Sequence, residues 1–481
     1  MMLARDRIIS VIVFLILIAA SFGKEGSAFA SIVPKHFVVK TNNGIEITVF
    51  PIAKVPIFDV ELFFQNGANT EPLGRSGASS LMASLLNRGT PSRTETVSMK
   101  LLDQLAGSSH FGLDVDEFMV NAFGLDSEFE KILHYSIENL TSATFDERVF
   151  HRVRKNALES LSQIADSPAS LASYAADLIA TNGTTYARPI AGGWSDLQRI
   201  TRQDLLEAHR RLLRPDRMKA LLIAGRSETD PFLQSALKLL KVELEKLPCY
   251  ECGKQLKPVV SAKWKPLDIP EGTLVLVDKK GFSESHVRLI ARGPKRKVPE
   301  YHDLLVAENI LGGTFGSRLT TLLREKLNLT YSVDVNFEFG RELGVFEIAT
   351  STRNERLLEL LNVLEGELRG FVNDGVKKTE VESAKEYLLG SFPIGLQNSF
   401  LVAQRYFRLL LEGLSPKFLD EYPEHIRAVS QESVNAAIRK YFSYDRFISV
   451  VVCDAERTKE SLKGRKSPVK VVSAKQVIET Y

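Results

Sequence analysis

The sequence repeats itself over most of its length. The segment ITRQDLLEAHRRLLRPDRMKALLIAG, which begins at Ile200, matches VSQESVNAAIRKYFSYDRFISVVVCD, which begins at Val429. Both combine a capped helix, an Asp-Arg turn and an apolar strand. Two further matches follow in order, LLDQLAGSSHFGLDVDEF with LLREKLNLTYSVDVNFEF and SLLNRGT with ENILGGT, at offsets that lie between 221 and 229 residues for all three matches. A chain built from two copies of one unit is expected to fold as two similar domains.

The matches place the domain boundaries. A first domain is predicted at residues 31–247 and a second at residues 259–481, since 481 residues exceed what one core usually supports. Residues 248–258 form the predicted linker, because the segment LPCYECGKQLKP has a proline near each end and no hydrophobic periodicity.

Each copy mixes strands and helices. Alternating apolar residues at 57–64 and 331–339 predict strands, and residues 147–164 and 354–372 have the period of long helices. Short turns join neighbouring strands, as in YSVDVNFEF, GREL and GVFEIATS, which favours hairpins. The predicted fold class is therefore α+β, with a mainly antiparallel sheet in each domain and helices packed on one side.

The N-terminus has the pattern of a signal peptide at residues 1–30. A basic start, MMLARDR, precedes the apolar run IISVIVFLILIAA and the small-x-small site at Ala28 to Ala30. We expect an exported mature protein that begins near Ser31, periplasmic in a bacterium or else secreted. The apolar run is short for a membrane span and no later stretch approaches one, so no stable span is expected after cleavage; an uncleaved anchor is the alternative.

Charge and cysteine content exclude two classes of function. The net charge of +3, from 62 basic and 59 acidic residues, gives no electrostatic basis for nucleic-acid binding. Cys249 and Cys252 form a C-x-x-C, but a zinc ribbon needs a second pair and Cys453 is distant in sequence. We predict either a local disulfide or two unreactive thiols in the linker, without redox function.

The segment GASSLMASLLNRGT, residues 77–90, has the shape of a metal-binding helix without its chemistry. Its apolar residues lie on one helical face: Leu81, Met82, Leu85 and Leu86. Ser80 and Ser84 then lie one turn apart on another face, where a helix can offer two ligands to one ion. A neutral serine hydroxyl is a poor zinc ligand beside histidine, cysteine or carboxylate.

The second half carries the most specific resemblance to a known family. VLVDKKGFSESHVRLIARG, followed by YHDLLVAENILGGTFGSRLTTLLREKLNLTYSV, resembles the second domain of the pitrilysin/insulinase zinc peptidases, in the branch that includes the mitochondrial processing peptidase. NNGIEITVF, FFQNGANTEPLGRSGAS and NRGT follow the family's order in the first half. The resemblance covers essentially the whole mature chain.

The resemblance implies that this chain binds no zinc. Family members carry H-x-x-E-H on the helix described above, where two histidines bind zinc and the glutamate activates water. Counted back from the Gly-Thr turn, these three positions hold Ser80, Ala83 and Ser84. The distal zinc-ligand glutamate falls at Glu159 or Ser160, and the count leaves both open; one carboxylate alone does not hold a catalytic zinc.

Other catalytic arrangements receive no support. The eight histidines form no H-x-x-E-H and no close pair in sequence, and His110, His209 and His286 are predicted to be surface or partly buried residues. No G-x-S-x-G element is present, so serine hydrolysis is not expected.

The second half keeps a different family motif. Arg324 and Tyr331 have the R-x6-Y spacing of a pair that, in the active family, faces the zinc across a cavity. A tyrosine hydroxyl can donate a hydrogen bond to an oxyanion, and an arginine can grip a peptide carbonyl. From the residues alone, Tyr331 could instead start a half-buried strand and Arg324 could be a solvated charge at a helix end.

Gly312 and Gly313, in LGGTFGSRL, fit neither phosphate-binding glycine pattern. The resemblance places this glycine-rich segment near the substrate cavity and the partner half, where glycine permits close backbone contact.

Two functions follow from these patterns. In the first, the chain is the non-zinc subunit of a heterodimeric peptidase; it binds unfolded peptides and supplies Arg324 and Tyr331 to a homologous partner that carries Zn2+. In the second, it is an inactive peptide-binding or scaffolding protein, similar to the core subunits of the respiratory cytochrome complex. A homodimer also remains open, although it would hold no zinc.

Overall fold

The computed structural model describes residues 31–261, 263, 265–460, 462–463, 465 and 467–480. The predicted signal peptide, residues 1–30, lies outside the described residues. Within the described part of the chain, no helix is both long enough and apolar enough to cross a membrane.

The first half contains a six-stranded sheet and a two-stranded ribbon. Its strands are β1 (Phe37–Lys40), β2 (Glu46–Pro51), β3 (Ile57–Phe64), β4 (Gly89–Thr90), β5 (Arg93–Thr94), β6 (Ser108–Leu113), β7 (Phe118–Leu125) and β8 (Met218–Ala224). The sheet order is β1-β2-β8-β3-β7-β6, while β4 pairs with β5. Only the β2–β8 pair of this sheet is parallel. The strand predicted at residues 57–64 is β3, which has the same bounds.

Helices cover one face of this sheet. The helices of this half are α1 (Ala78–Leu86), α2 (Glu95–Gln104), α3 (Phe129–Ser142), α4 (Glu147–Ile164), α5 (Pro168–Thr181), α6 (Trp194–Arg199), α7 (Arg202–Leu212) and α8 (Pro231–Glu245). Alternate residues of β3 point into the core that α1, α3, α4, α7 and α8 close: Phe58, Val60, Leu62 and Phe64. Burial of each such side chain contributes roughly 1.5–3 kcal/mol to folding.

The second half repeats this arrangement. Its strands are β9 (Leu274–Asp278), β10 (Glu284–Gly293), β11 (Val333–Phe339), β12 (Gly344–Arg353), β13 (Ile448–Cys453) and β14 (Val469–Ser473). Its helices are α9 (Tyr301–Leu311), a π-helix (Thr320–Lys326), α10 (Leu357–Asn373), α11 (Lys378–Ser391), α12 (Ser399–Leu411), α13 (Phe418–Ala428), α14 (Gln431–Tyr441), α15 (Ala455–Thr458) and α16 (Ala474–Glu479).

The two sheets have the same strand topology. The second sheet has the order β14-β9-β13-β10-β12-β11, in which the parallel β9–β13 pair takes the place of the parallel β2–β8 pair. The sheets differ at one edge, where β14 is parallel to β9 but β1 is antiparallel to β2. The predicted α+β class, with a mainly antiparallel sheet in each of two similar domains, is confirmed.

One helix of each half packs on the sheet of the other half. Leu171 and Leu178 of α5 pack with Val275, Ile290 and Val450 of the second sheet in a core that joins the halves. Conversely, α12 lies on the first sheet, where the ring centres of Phe407 and Phe63 are 5.4 Å apart. The second face of each sheet is therefore covered by a helix of the other half.

Candidate functional site

Helix α1 has the predicted amphipathic shape. The side chains on its apolar face are at most 3% exposed: Leu81, Met82, Leu85 and Leu86. Ser84 is exposed, Ser80 is half-buried and Ala83 is buried. The Ser84 hydroxyl donates a 2.9 Å hydrogen bond to the Ser80 carbonyl oxygen, so it is bonded within its own helix. None of the three side chains fits a zinc ion, because two are neutral hydroxyls and one is a methyl group.

A buried carboxylate anchors the start of α1. Glu71 is 1% exposed, and it accepts hydrogen bonds from the backbone nitrogens of Gly77, at 3.0 Å, and Ser79, at 2.6 Å. Burial raises the pKa of Glu71, while these backbone hydrogen bonds oppose the rise. Negative charge at a helix N-terminus is favourable. The N-terminus of α1 is therefore held by a buried carboxylate, and the assignment of Ser80, Ala83 and Ser84 to zinc-motif positions stays a prediction.

The two alternatives for the distal ligand lie on α4, which packs against α1. Glu159 and Ser160 are both exposed. The Glu159 carboxylate is 3.6 Å from the Lys155 ammonium, one helical turn away. The choice between Glu159 and Ser160 therefore stays open.

The predicted linker holds a disulfide. Cys249 is bonded to Cys252, which is one of the two states that the sequence predicted. Together with Asp216 these cysteines form the one group of three potential metal ligands within the described residues, but disulfide sulfurs offer no thiolate. Asp216 is also engaged by the buried Arg214, whose Nε and Nη2 donate at 2.8 and 2.7 Å. The disulfide therefore constrains the backbone of the predicted linker.

The histidines differ in part from expectation. His110 is exposed and His286 is partly buried, as predicted. The prediction for His209 was wrong: it is 7% exposed, and its Nε2 lies 2.6 Å from the Leu140 carbonyl oxygen. Burial lowers the pKa of His209. His302 and His425, which are distant in sequence, have ring centres 4.8 Å apart.

The second half contains a cavity of about 1570 Å³. The structure brings together on its wall all four residues that the sequence singled out in this half, Gly312, Gly313, Arg324 and Tyr331. The lining comes from α9, the glycine-rich loop after it, the π-helix, the start of β11, α10 and the loop after it, α11 and the start of α14. This volume is large enough to hold several residues of an extended peptide.

Arg324 and Tyr331 lie against each other on this wall. Arg324 lies within the π-helix Thr320–Lys326, and its guanidinium carbon is 5.3 Å from the centre of the Tyr331 ring. This distance is within the range of a cation–π contact. π-Helical segments are rare and often occur at functional sites.

Tyr331 corrects one prediction. The strand predicted at residues 331–339 begins at Val333, so Tyr331 lies before β11 and is 84% exposed. The Ser332 carbonyl oxygen accepts from the Thr350 side-chain hydroxyl, at 2.8 Å, and the ladder with β12 starts only after it. The alternative in which Tyr331 starts a half-buried strand is therefore wrong.

The glycine-rich loop is packed tightly at its base. A Cβ on Gly312 would lie 2.0 Å from Cγ2 of Val335, and a Cβ on Gly313 would lie 2.9 Å from Cα of Asn309. Both glycines are therefore required for close packing of the loop on β11 and α9. A role of either in substrate binding stays a prediction.

Phe315, an exposed apolar residue of the same loop, was not predicted from the sequence. Its side chain is 80% exposed and lines the cavity, and its ring centre lies 5.8 Å from the guanidinium carbon of Arg324. A phenylalanine between glycines in LGGTFGSRL was the available signal, because such a loop has little core of its own in which to bury a ring.

The chain is similar to known proteins in sequence and in fold. A family profile described as peptidase M16 inactive domain matches residues 199–388. The chain is 24% identical over 413 residues to the uncharacterized zinc protease YmxG of Bacillus subtilis, covering 85% of this chain and 96% of that protein. It is 21% identical over 416 residues to the non-peptidase homolog YmxG of Helicobacter pylori, covering 84% and 91%. A crystal structure of a peptidase M16 inactive domain from Pseudomonas fluorescens superposes with a TM-score of 0.76 at 21% identity, covering 87% of this chain and 97% of that one.

Proposed function

Because the profile of the peptidase M16 inactive domain matches residues 199–388, we propose that the chain is the non-zinc subunit of an exported heterodimeric metallopeptidase. In this proposal a homologous subunit carries Zn2+, and this chain completes the site around an unfolded peptide. One observation carries the proposal: Arg324 and Tyr331 lie against each other on an open cavity wall, in a chain whose zinc-motif positions hold Ser80, Ala83 and Ser84.

The chemistry of this chain is binding and charge stabilisation. The Tyr331 hydroxyl can donate a hydrogen bond to the carbonyl oxygen of a peptide bond as negative charge develops on it. The guanidinium of Arg324 offers a planar set of donors to a neighbouring peptide carbonyl and fixes its direction. Removal of one such oxyanion donor costs about 100-fold to 1000-fold in kcat in well-studied hydrolases.

Two features support export and a homologous partner. The Cys249–Cys252 disulfide suits an oxidising compartment such as the periplasm or the extracellular space, in agreement with the signal-peptide pattern at residues 1–30. The shared topology of the two halves means that a zinc-bearing relative would offer a similar surface for association. A homodimer would bring two Arg-Tyr pairs together without any zinc.

A second candidate is a peptide-binding or scaffolding protein that takes no part in hydrolysis. The relative from Helicobacter pylori is named a non-peptidase homolog, which favours this candidate. An accessible Arg-Tyr pair counts against it, because a scaffold has no need of either side chain in a cavity.

A mixing experiment separates these functions. The chain is titrated into a zinc-motif relative from the same source, and cleavage of a quenched unstructured peptide is followed. The split enzyme predicts no activity from this chain alone and a maximum at an equimolar ratio, abolished by a zinc chelator. A stable equimolar complex without activity would leave the peptide-binding function.

A further inference from the structure

An exposed aromatic side chain adjoins the Arg-Tyr pair. Phe315 is 80% exposed and Tyr331 is 84% exposed, and the guanidinium of Arg324 lies within 5.8 Å of both ring centres. Two rings with this exposure leave a large apolar area in water, at a free-energy cost that contact with an apolar ligand removes.

The loop that carries Phe315 is fixed at both ends. Backbone nitrogens of Gly312 and Gly313 both donate to the Glu308 carbonyl oxygen, at 3.0 and 3.1 Å. On the other side, the Ser317 nitrogen donates to the Thr314 carbonyl oxygen at 3.2 Å, which closes a turn with Phe315 near its tip. The ring is therefore presented by a preorganised backbone, which lowers the entropic cost of binding.

The cavity around this ring has no excess charge. Its lining contains four cationic side chains, Arg318, Arg324, Lys326 and Lys377, and four anionic ones, Asp334, Glu367, Asp374 and Glu380. Several of these charges compensate each other, since Nε and Nη2 of Arg318 donate to the Glu380 carboxylate at 2.7 and 2.8 Å. A balanced lining gives no electrostatic preference for basic or acidic peptides.

We propose that Phe315, with Arg324 and Tyr331, forms a subsite for a bulky apolar side chain of the peptide substrate. This rests on the proposed function, and it adds that the non-zinc subunit selects the substrate. Arg324 holds a peptide carbonyl while the adjacent side chain packs on the Phe315 ring. The preferred peptides carry an aromatic or large aliphatic residue next to the peptide unit that Arg324 holds.

The test uses labelled unstructured peptides that are identical except at one central position, which carries Phe, Gly or Lys. Fluorescence anisotropy gives the Kd of each peptide for the chain alone. Wild type is expected to bind the Phe peptide about tenfold tighter than the Gly peptide. Phe315→Ala should bring this ratio close to one, and Phe315→Leu should keep part of it. Ile394→Ala is the control, because Ile394 is 66% exposed and lies outside the cavity lining.

An unchanged ratio of Kd values in Phe315→Ala overturns the subsite. Equal affinity of wild type for the Phe and Gly peptides also overturns it, and so does a lack of measurable binding. Loss of subunit association in Phe315→Ala with an unchanged ratio also overturns it, because the ring would then be a subunit contact. Failure of the split enzyme gives a different result. If the mixed subunits cleave no peptide but the ratio of the Kd values still depends on Phe315, the peptidase role is wrong and the subsite stands.

Discussion

The guanidinium carbon of Arg324 lies 5.3 Å from the centre of the Tyr331 ring, although the two residues belong to different local structures, a π-helix and the loop before β11. Both side chains lie on the same cavity wall. Polar groups that are already in position need no reorganisation as charge develops on a substrate, which is the condition for effective electrostatic catalysis.

The packing of the glycine-rich loop gives a stability prediction. Gly312→Ala places a methyl group 2.0 Å from Cγ2 of Val335 and should lower the free energy of unfolding by about 1–3 kcal/mol. Gly316→Ala is the matched control, because a Cβ there meets no atom within 4 Å. Urea denaturation measures both. Equal stability of the two variants would mean that the loop does not pack on β11 as described.

The predicted zinc-motif positions of α1 can be tested by placing histidines there. Ser80→His/Ser84→His places two imidazoles one turn apart and should create a Zn2+ site, measurable by titration calorimetry. If Glu159 is the distal ligand position, adding Glu159→Ala should weaken binding of Zn2+ by about 10-fold or more. Glu456→Ala, at another exposed carboxylate, is the control. Zinc affinity that is indifferent to Glu159→Ala would favour Ser160 as the equivalent position.

A buried acidic pair lies where α12 crosses the first sheet. The Gln404 side-chain nitrogen donates to Asp59 at 2.7 Å and to Glu61 at 2.9 Å. Asn121 of β7 also donates to Asp59, at 2.6 Å, and Arg408 of α12 lies near Glu61. Burial raises the pKa of Asp59 to about 6 and that of Glu61 to about 7, the latter with a contribution from the neighbouring Asp59.

The sign of the resulting pH dependence follows from linkage. Between the ordinary carboxyl pKa and these raised values, the folded chain binds more protons than the unfolded chain, so stability falls as pH rises. The contribution of the protonated pair to the free energy of unfolding is fully present below about pH 4 and lost above about pH 7. As pH rises from about 5 to about 8, the free energy of unfolding of Asp59→Asn/Glu61→Gln should therefore fall by about 2 kcal/mol less than that of wild type. Urea denaturation at each pH measures both free energies. If the free energies of unfolding of wild type and the double variant changed in parallel with pH, the pair would not be the source of the pH dependence. Glu456→Gln, at an exposed carboxylate, is the control and should have the pH profile of wild type.

Local patterns were enough to predict the fold class and the family. The period of apolar residues depends on neighbouring positions, so β3 and the buried face of α1 were predicted correctly. Motifs in the second half predicted the resemblance to the pitrilysin/insulinase peptidases, and the profile of the peptidase M16 inactive domain matches residues 199–388. The roles of Arg324, Tyr331, Gly312 and Gly313 and the domain boundaries stay predictions.

Contacts between distant segments could not be predicted in this way. The exchange of α5 and α12 between halves joins surfaces hundreds of residues apart in sequence, and no single window contains both sides, as for Phe63 and Phe407. The late start of β11 at Val333 and the burial of His209 also depend on neighbours that only the fold supplies. Phe315 was missed because exposure of an apolar residue is a property of the tertiary structure.

In the proposed split enzyme, Tyr331 acts on a substrate whose zinc lies in another subunit. This role is tested by kcat of the equimolar mixture, measured with wild type, Tyr331→Phe and Tyr387→Phe. Tyr387 is the matched control, because it is also an exposed tyrosine on the cavity wall. Tyr331→Phe is expected to lower kcat about 100-fold with subunit association unchanged, and Tyr387→Phe is expected to have nearly wild-type kcat. Equal kcat for Tyr331→Phe and wild type would contradict it.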